Sequence, residues 1–254
     1  MKWLWLLMAA AFAAQAQAQT QAQAQAPRSG FEFMSRAVQT MQLDDTQNPG
    51  MLWLKEGEQA WAAGADKSCA SCHGAASTSM RGVATRYPAW DATLQRPITL
   101  AQRINECRHR HQNSAPLAAE SAPLLGLETW VAHASRGLPL APADDARLAP
   151  ARALGEQIFT RRMGQLALSC SQCHDNHAGQ RLGGSTIPGG HANGYPTYRL
   201  EWQGLGSLQR RVRNCMSGVR AEPFAFDSNE MVALELYLAR RGAGLLIETP
   251  AVRP

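Results

Sequence analysis

Long apolar runs are missing from this 254-residue chain once its first 14 residues are passed. A bilayer-spanning helix requires about 20 consecutive apolar residues, and no later segment approaches that, so no membrane span is expected. Runs that alternate polar and apolar residues, the mark of half-buried strands, are also scarce; apolar residues recur instead at spacings of three and four, which predicts a mainly α chain. Charge is present without concentration: 25 Lys and Arg against 20 Asp and Glu leave +5, and removal of Lys2 with a leader lowers this by one. So small an excess does not suggest nucleic acid as a partner, although local positive patches can still attract small anions or an acidic protein. Cysteine is sparse too, with six residues, but four of the six are ordered in a way that dictates chemistry.

The N-terminus carries the one apolar segment of note. Met1-Lys2 leads into Trp3 to Ala14 and then into Ala-x-Ala sites around Ala14, Ala16 and Ala18. This is the pattern of a secretory signal peptide, 1–18, with cleavage falling anywhere up to residue 26. The chain is therefore expected to be exported. Gln and Ala alternate from Gln15 to Ala26, a low-complexity tract with nothing to bury, and 19–50 reads as this tract plus an N-terminal extension.

The four ordered cysteines lie in Cys69-Ala70-Ser71-Cys72-His73 and Cys170-Ser171-Gln172-Cys173-His174. Cys-x-x-Cys-His is the attachment signature of c-type haem: two thiols three residues apart can add across the two vinyl groups of one porphyrin while the next imidazole reaches the iron. A bare Cys-x-x-Cys also serves zinc sites and thiol redox pairs, but the His after both copies, in an exported chain, argues against those. Two covalently bound haem c groups are expected, on Cys69 and Cys72 with axial His73, and on Cys170 and Cys173 with axial His174.

The repeat extends beyond these motifs. Gly57-Glu58-Gln59-Ala60-Trp61, the first haem motif, Tyr87-Pro88-Ala89-Trp90 and Leu100-Ala101-Gln102-Arg103-Ile104-Asn105-Glu106-Cys107 recur as Gly155-Glu156-Gln157-Ile158-Phe159, the second motif, Tyr195-Pro196-Thr197-Tyr198 and Leu208-Gln209-Arg210-Arg211-Val212-Arg213-Asn214-Cys215. The fold expected is two tandem cytochrome c-type domains related by internal duplication, 51–137 and 151–254, joined by a Pro- and Ala-rich linker, 138–150. Helices are predicted over 52–65 and 151–163 as the entry to each domain. Glu128 to Gly137 and Glu235 to Gly242 close them, with Gly just past the helix and Ser228 or Asp227 as the last N-cap.

Six cysteines less four attachment sites leave Cys107 and Cys215, which occupy the same repeat position. Thr99 and Ser207 are N-cap candidates for the segments that carry them. On a helix Arg103, Ile104 and Cys107 share a face, as do Arg211, Val212 and Cys215, so each thiol is aimed at its own domain's core. Both are read as axial ligands, giving two His/Cys haems. A disulfide between them is the default for spare thiols in an oxidising compartment, but it needs Cα atoms within about 7 Å, which equivalent positions in separate domains rarely meet. His109, His111, His133, His177, His191, Met80, Met163 and Met216 are the other ligand candidates; none recurs in the repeat, and His109 and His111 are the reserve for the first haem.

The two halves differ in charge. Arg210, Arg211, Arg213 and Arg220 surround Cys215, whereas Arg103, Arg108 and Arg110 accompany Cys107 together with Glu106. Arg103 and Arg211, at one repeat position, suit haem propionates. Arg210 and Arg213 are then left to form a cationic funnel for an oxyanion. The glycine-rich segment from Ala178 to Gly206 is long for a loop inside a domain; it reads either as a wrap over the haem edge or as the wall of a channel to Cys215.

Across about Leu52 to Gly242, and most specifically in Arg210-Arg211-Val212-Arg213-Asn214-Cys215-Met216-Ser217 and Arg220-Ala221-Glu222-Pro223-Phe224, the chain resembles the SoxA family, the larger subunits of SoxAX cytochrome complexes. The resemblance implies that Cys215 is a catalytic cysteine persulfide and that Arg211 binds substrate. It further implies conjugation of thiosulfate to a cysteine of the SoxYZ carrier protein, with two electrons passing to the mono-haem SoxX. The alternatives are a non-catalytic di-haem electron carrier and a thiosulfate dehydrogenase forming tetrathionate.

Overall fold

The computed structural model describes residues 26–64 and 67–254. The signal peptide expected over 1–18, the Gln/Ala tract as far as Gln25, and Ala65 at the predicted end of the first helix lie outside the described residues. Among the described residues, no helix is long and apolar enough to cross a membrane.

The duplication read from the sequence is visible element by element. The first half runs α2 (Met51–Ala62), the haem-motif turn α3 (Cys69–His73), the hairpin β1 (Ala89–Asp91) and β2 (Arg96–Ile98), α4 (Leu100–Gln112) and α5 (Ala122–His133), preceded by α1 (Arg36–Leu43). The second runs α6 (Ala149–Thr160), the haem-motif turn α7 (Cys170–His174), a small hairpin of β3 (Arg181–Leu182) and β4 (Ser185–Thr186), the hairpin β5 (Thr197–Arg199) and β6 (Gly204–Gly206), α8 (Leu208–Gly218), α9 (Asn229–Arg241) and a terminal strand β7 (Ala251–Arg253). Both Tyr-Pro bonds that precede the hairpins, Tyr87-Pro88 and Tyr195-Pro196, are cis.

First and last helices of each half cross at a glycine. A Cβ on Gly57 would lie 2.0 Å from the Gly126 carbonyl oxygen, and one on Gly155 would lie 2.1 Å from that of Ala233. Only a hydrogen side chain permits such backbone approach, so the repeated Gly-Glu-Gln sets the helix pair that frames each core. Trp61, Leu127 and Val131 fill the first core, and Phe159, Leu234 and Leu238 occupy the matching places in the second.

Local signals acted as expected at most helix starts. Thr99 caps α4 with a reciprocal bond from Gln102, Ser207 caps α8, and Ser228 caps α9. Asp227, the rival cap, is instead held by its backbone N–H donating to Gln209 Oε1 at 2.8 Å. The predicted helix 151–163 begins at Ala149 and ends at Thr160, because Met163 turns to pair with Leu168 and Gly164 backs onto the Val219 carbonyl.

Two segments do more than their composition suggested. The extension ahead of α2 straps the second domain: Gln42 Oε1 accepts from Val252 N at 3.0 Å, and Asn48 Nδ2 donates to the Pro250 carbonyl at 2.9 Å. The linker segment 138–150 is fastened as well, with Leu140 N donating to Leu245 O at 2.8 Å and Ile247 N to Leu138 O at 2.9 Å. β7 then joins β5 in parallel, completing a three-stranded sheet of order β6-β5-β7.

The domains face each other through repeat-related residues. Tyr87 and Tyr195, Leu100 and Leu208, and Glu128 and Glu235 line one cavity between them. Burial pushes both glutamates up to about 8, helped by the acidic groups around them: Glu235, Glu120 and Asp227 near Glu128, and Asp227 and Glu120 near Glu235.

Candidate functional site

Each haem motif forms a single helical turn. Ser68 Oγ accepts from Ser71 N at 3.0 Å at the start of the first, and Ser169 accepts from Gln172 N while donating its own N–H to Gln172 Oε1 at 2.9 Å in the second. Within one turn the cysteines three apart lie on the same side. No disulfide joins Cys107 to Cys215.

The second domain gathers the predicted groups into one site. His174 Nδ1 is bonded to the Pro188 carbonyl at 2.7 Å, which fixes the imidazole and leaves Nε2 as the nitrogen available to a metal. Gly190, at φ +71°, backs onto the same ring; a Cβ there would lie 3.0 Å from His174 Cγ. This part of the long glycine-rich segment therefore secures the His174 side of the site. Cys215 projects from α8, with Arg211 one turn before it. Burial opposes ionisation of Cys215, but the adjoining His174 imidazole and the guanidiniums of Arg211 and Arg199 outweigh it and hold the thiol below its ordinary range. Paired thiols on one turn, an oriented imidazole and a further sulfur adjoining it are donors that suit a haem c iron, and these residues fit that group.

The expected arginine funnel is composed differently. Arg210 stacks on Trp202, 4.2 Å from the ring centroid. Arg213 donates to the Phe224 carbonyl and lies over Phe226. Helix geometry accounts for this: Arg211 and Cys215, four apart, share a face, while 210 and 213 point elsewhere. The charge beside Cys215 comes from Arg211 and from Arg199 on β5, which sequence reasoning passed over.

The first domain repeats the frame with other contents. His73 is exposed, its ring 5.7 Å from that of Trp61. Cys107 is half-buried, and burial raises its thiol despite Arg103 and Arg110, with Glu106 and Asp91 adding to the rise. Arg103 is bound to Asp91 at 2.6 Å and to the Tyr87 hydroxyl at 3.3 Å. Cys69 lies near Cys107, and Gln112 Nε2 contacts its sulfur at 3.6 Å. Cys72 is exposed.

The remaining ligand candidates are engaged elsewhere. His109, His111 and His177 are exposed. Met80 and Met163 pack on the two cores, and Met216 is buried. Burial and Arg136 push the His133 imidazole below its ordinary range. His191 has a buried Nδ1 with no partner among the described residues; burial, Arg241 and His174 lower it to about 4.

Asp91 and Arg199 were legible only through register. Each lies four residues after its Tyr-Pro tyrosine and 16 before its cysteine, so a strict alignment of the two halves would have paired them.

A domain model described as the SoxA/TsdA cytochrome c domain matches the chain twice, over residues 56–140 and 154–247. The L-cysteine S-thiosulfotransferase subunit SoxA of Pseudaminobacter salicylatoxidans is 38% identical over 230 residues, covering 89% of this chain and 80% of that protein. The subunit of the same name from Rhodovulum sulfidophilum is 35% identical over 229 residues, with the same coverage of 89% and 80%. Among solved structures, SoxXA from P. pantotrophus superposes with a TM-score of 0.86 at 32% identity, covering 90% of this chain and 87% of that one. With its two matched domains and its relatives in agreement over nearly the whole described length, the chain belongs to the SoxA family of c-type cytochromes.

Proposed function

We propose that this chain is a SoxA-type L-cysteine S-thiosulfotransferase subunit that acts in the periplasm after removal of its signal peptide. Two haem c groups would be held, one by Cys69 and Cys72 with His73 and Cys107 offered to its iron, the other by Cys170 and Cys173 with His174 and Cys215. The reaction joins the sulfane sulfur of thiosulfate to a cysteine of the SoxYZ carrier: the carrier S–H is lost, an S–S bond forms, and a proton and two electrons leave. SoxX, or another cytochrome, receives those electrons. The observation that carries this reading is Cys215 itself, a half-buried sulfur adjoining His174 and beside two guanidiniums, in a chain of the SoxA family.

The roles follow from the chemistry of each group. Cys215, as a persulfide, presents a sulfur that exchanges with the sulfane sulfur. Arg211 holds the sulfonate end, since a guanidinium fork matches an oxyanion in two bonds. Pro188 keeps the His174 ring in one orientation through its carbonyl. Haem c, when bound, supplies the electron acceptor.

The family description spans SoxA and TsdA together, so the tetrathionate-forming reading is the rival to be separated. The test incubates the haem-loaded SoxAX complex with thiosulfate and an electron acceptor, with and without SoxYZ. Electron release that needs SoxYZ, with a thiosulfonate adduct on the carrier by mass, is expected. Tetrathionate without carrier would establish the dehydrogenase instead, and absence of any thiosulfate dependence would leave an electron carrier.

A further inference from the structure

The two domains hold opposite charges at one repeat position, and that position faces the sixth-ligand cysteine of each. Asp91 and Arg199 both end the first strand of the hairpin that leads into the ligand helix. Asp91 is 2% exposed. Its carboxylate accepts from Thr93 N and Leu94 N at 2.7 Å each and takes up Arg103 at 2.6 Å. The arginine beside Cys107 is thereby neutralised.

Arg199 stands where that carboxylate would be. It is 9% exposed, lies over Trp202 at 5.2 Å, and its charge reaches Arg211, Tyr195 and Cys215. Its one ion pair among the described residues is with Glu201 at 2.8 Å, and Glu201 is half exposed, so that pair is worth little. Two neighbouring guanidiniums with one removed from water are costly unless an anion joins them. Among the described residues Arg211 is in no ion pair.

We infer that Arg199 is a second anion-binding residue for the sulfonate end of the substrate, acting with Arg211, and that the Asp91/Arg199 exchange is what makes one of two duplicated sites accept an oxyanion while the other excludes it. This rests on the thiosulfate reading given above. Two forks converging on one sulfonate share its three oxygens, which a single arginine leaves partly unpaired.

The test measures thiosulfate binding by calorimetry to the haem-loaded SoxAX complex carrying Arg199→Gln, Arg199→Lys, or Arg36→Gln as a charge-matched control at an exposed arginine of α1, together with KM, kcat and the potentials of both haems. Arg199→Gln is expected to weaken binding about tenfold or more and to raise KM with kcat little changed. Arg199→Lys, which keeps the charge and loses the fork, is expected to fall between it and the parent, and Arg36→Gln to match the parent. Unchanged affinity in Arg199→Gln, with or without a shifted haem potential, would overturn the inference, a shifted potential identifying a propionate partner instead. Equal weakening in Arg36→Gln would overturn it by showing a general charge effect. Should Arg199→Gln fail to fold, parent-like binding by Arg199→Lys would count against the fork. A parent complex that binds no thiosulfate would refute the functional reading instead.

Discussion

At the scale of single residues, function is a matter of what surrounds two equivalent thiols. Cys107 and Cys215 share a register, a helix face and a capped helix, yet burial raises the first while His174 and two arginines lower the second. Cys215→Ala is therefore expected to abolish thiosulfate conjugation, whereas Cys107→Ala is expected to retain most of it and alter the spectrum of one haem; similar turnover in both variants would contradict the asymmetry. The Asp91–Arg103 pair gives a second prediction. Asp91→Ala leaves Arg103 uncompensated and removes the acceptor of two turn amides, and loss of one partner of a buried pair costs about 3–5 kcal/mol. Arg103 keeps about a third of its side chain exposed, so the fall should sit near 3 kcal/mol by denaturant titration, and Asp91→Asn, which retains a turn acceptor, should lose less. Equal losses in the two variants would place the stabilisation in charge alone.

Elements were legible where chemistry repeats and illegible where it does not. The haem motifs, the ligand helices, their Thr and Ser caps and the closing helices could be read because each carries a local signal twice over. The three-residue strands could not, since no period of two is visible in so short a run, and β7 owes its place to pairing with β5 and to Gln42, a contact 210 residues away in sequence. Arg210 and Arg213 lie close to Cys215 in sequence, but helix geometry turns them to Trp202 and Phe226. The crossing glycines make a direct test of the duplicated frame. Gly155→Ala puts a methyl carbon 2.1 Å from the Ala233 carbonyl oxygen, an overpacking that backbone must absorb. Such strain typically costs about 1–3 kcal/mol, so the melting temperature should drop by several degrees. A melting temperature within a degree of the parent would show that the helices do not cross there as tightly as described.

For the whole molecule, the strap, the tied linker and the facing glutamates make one body of two domains. Glu128 and Glu235 stay protonated in the folded state up to about 8, whereas unfolded carboxyls ionise near 4.3. The folded chain therefore binds more protons than the unfolded chain between those values, and stability falls as pH rises through that window. The contribution is full below the ordinary carboxylate range and is lost above about 8. Thermal melts from pH 5 to 8.5 should show the decline, and the double variant Glu128→Gln with Glu235→Gln should flatten it; an unchanged slope would mean that the interface glutamates do not carry it. The two tandem cytochrome c-type domains could be anticipated from the chain, but this interface could not, because a contact between repeats leaves no mark in either repeat alone.

The central claim, that Cys215 is the sulfur-bearing residue of a di-haem protein, is tested most directly by the intact mass of the mature chain from a host that attaches c-type haem, before and after cyanide. Two haem increments and one additional sulfur that cyanide removes and peptide mapping assigns to Cys215 are expected. Two haems with Cys215 unmodified throughout would contradict it.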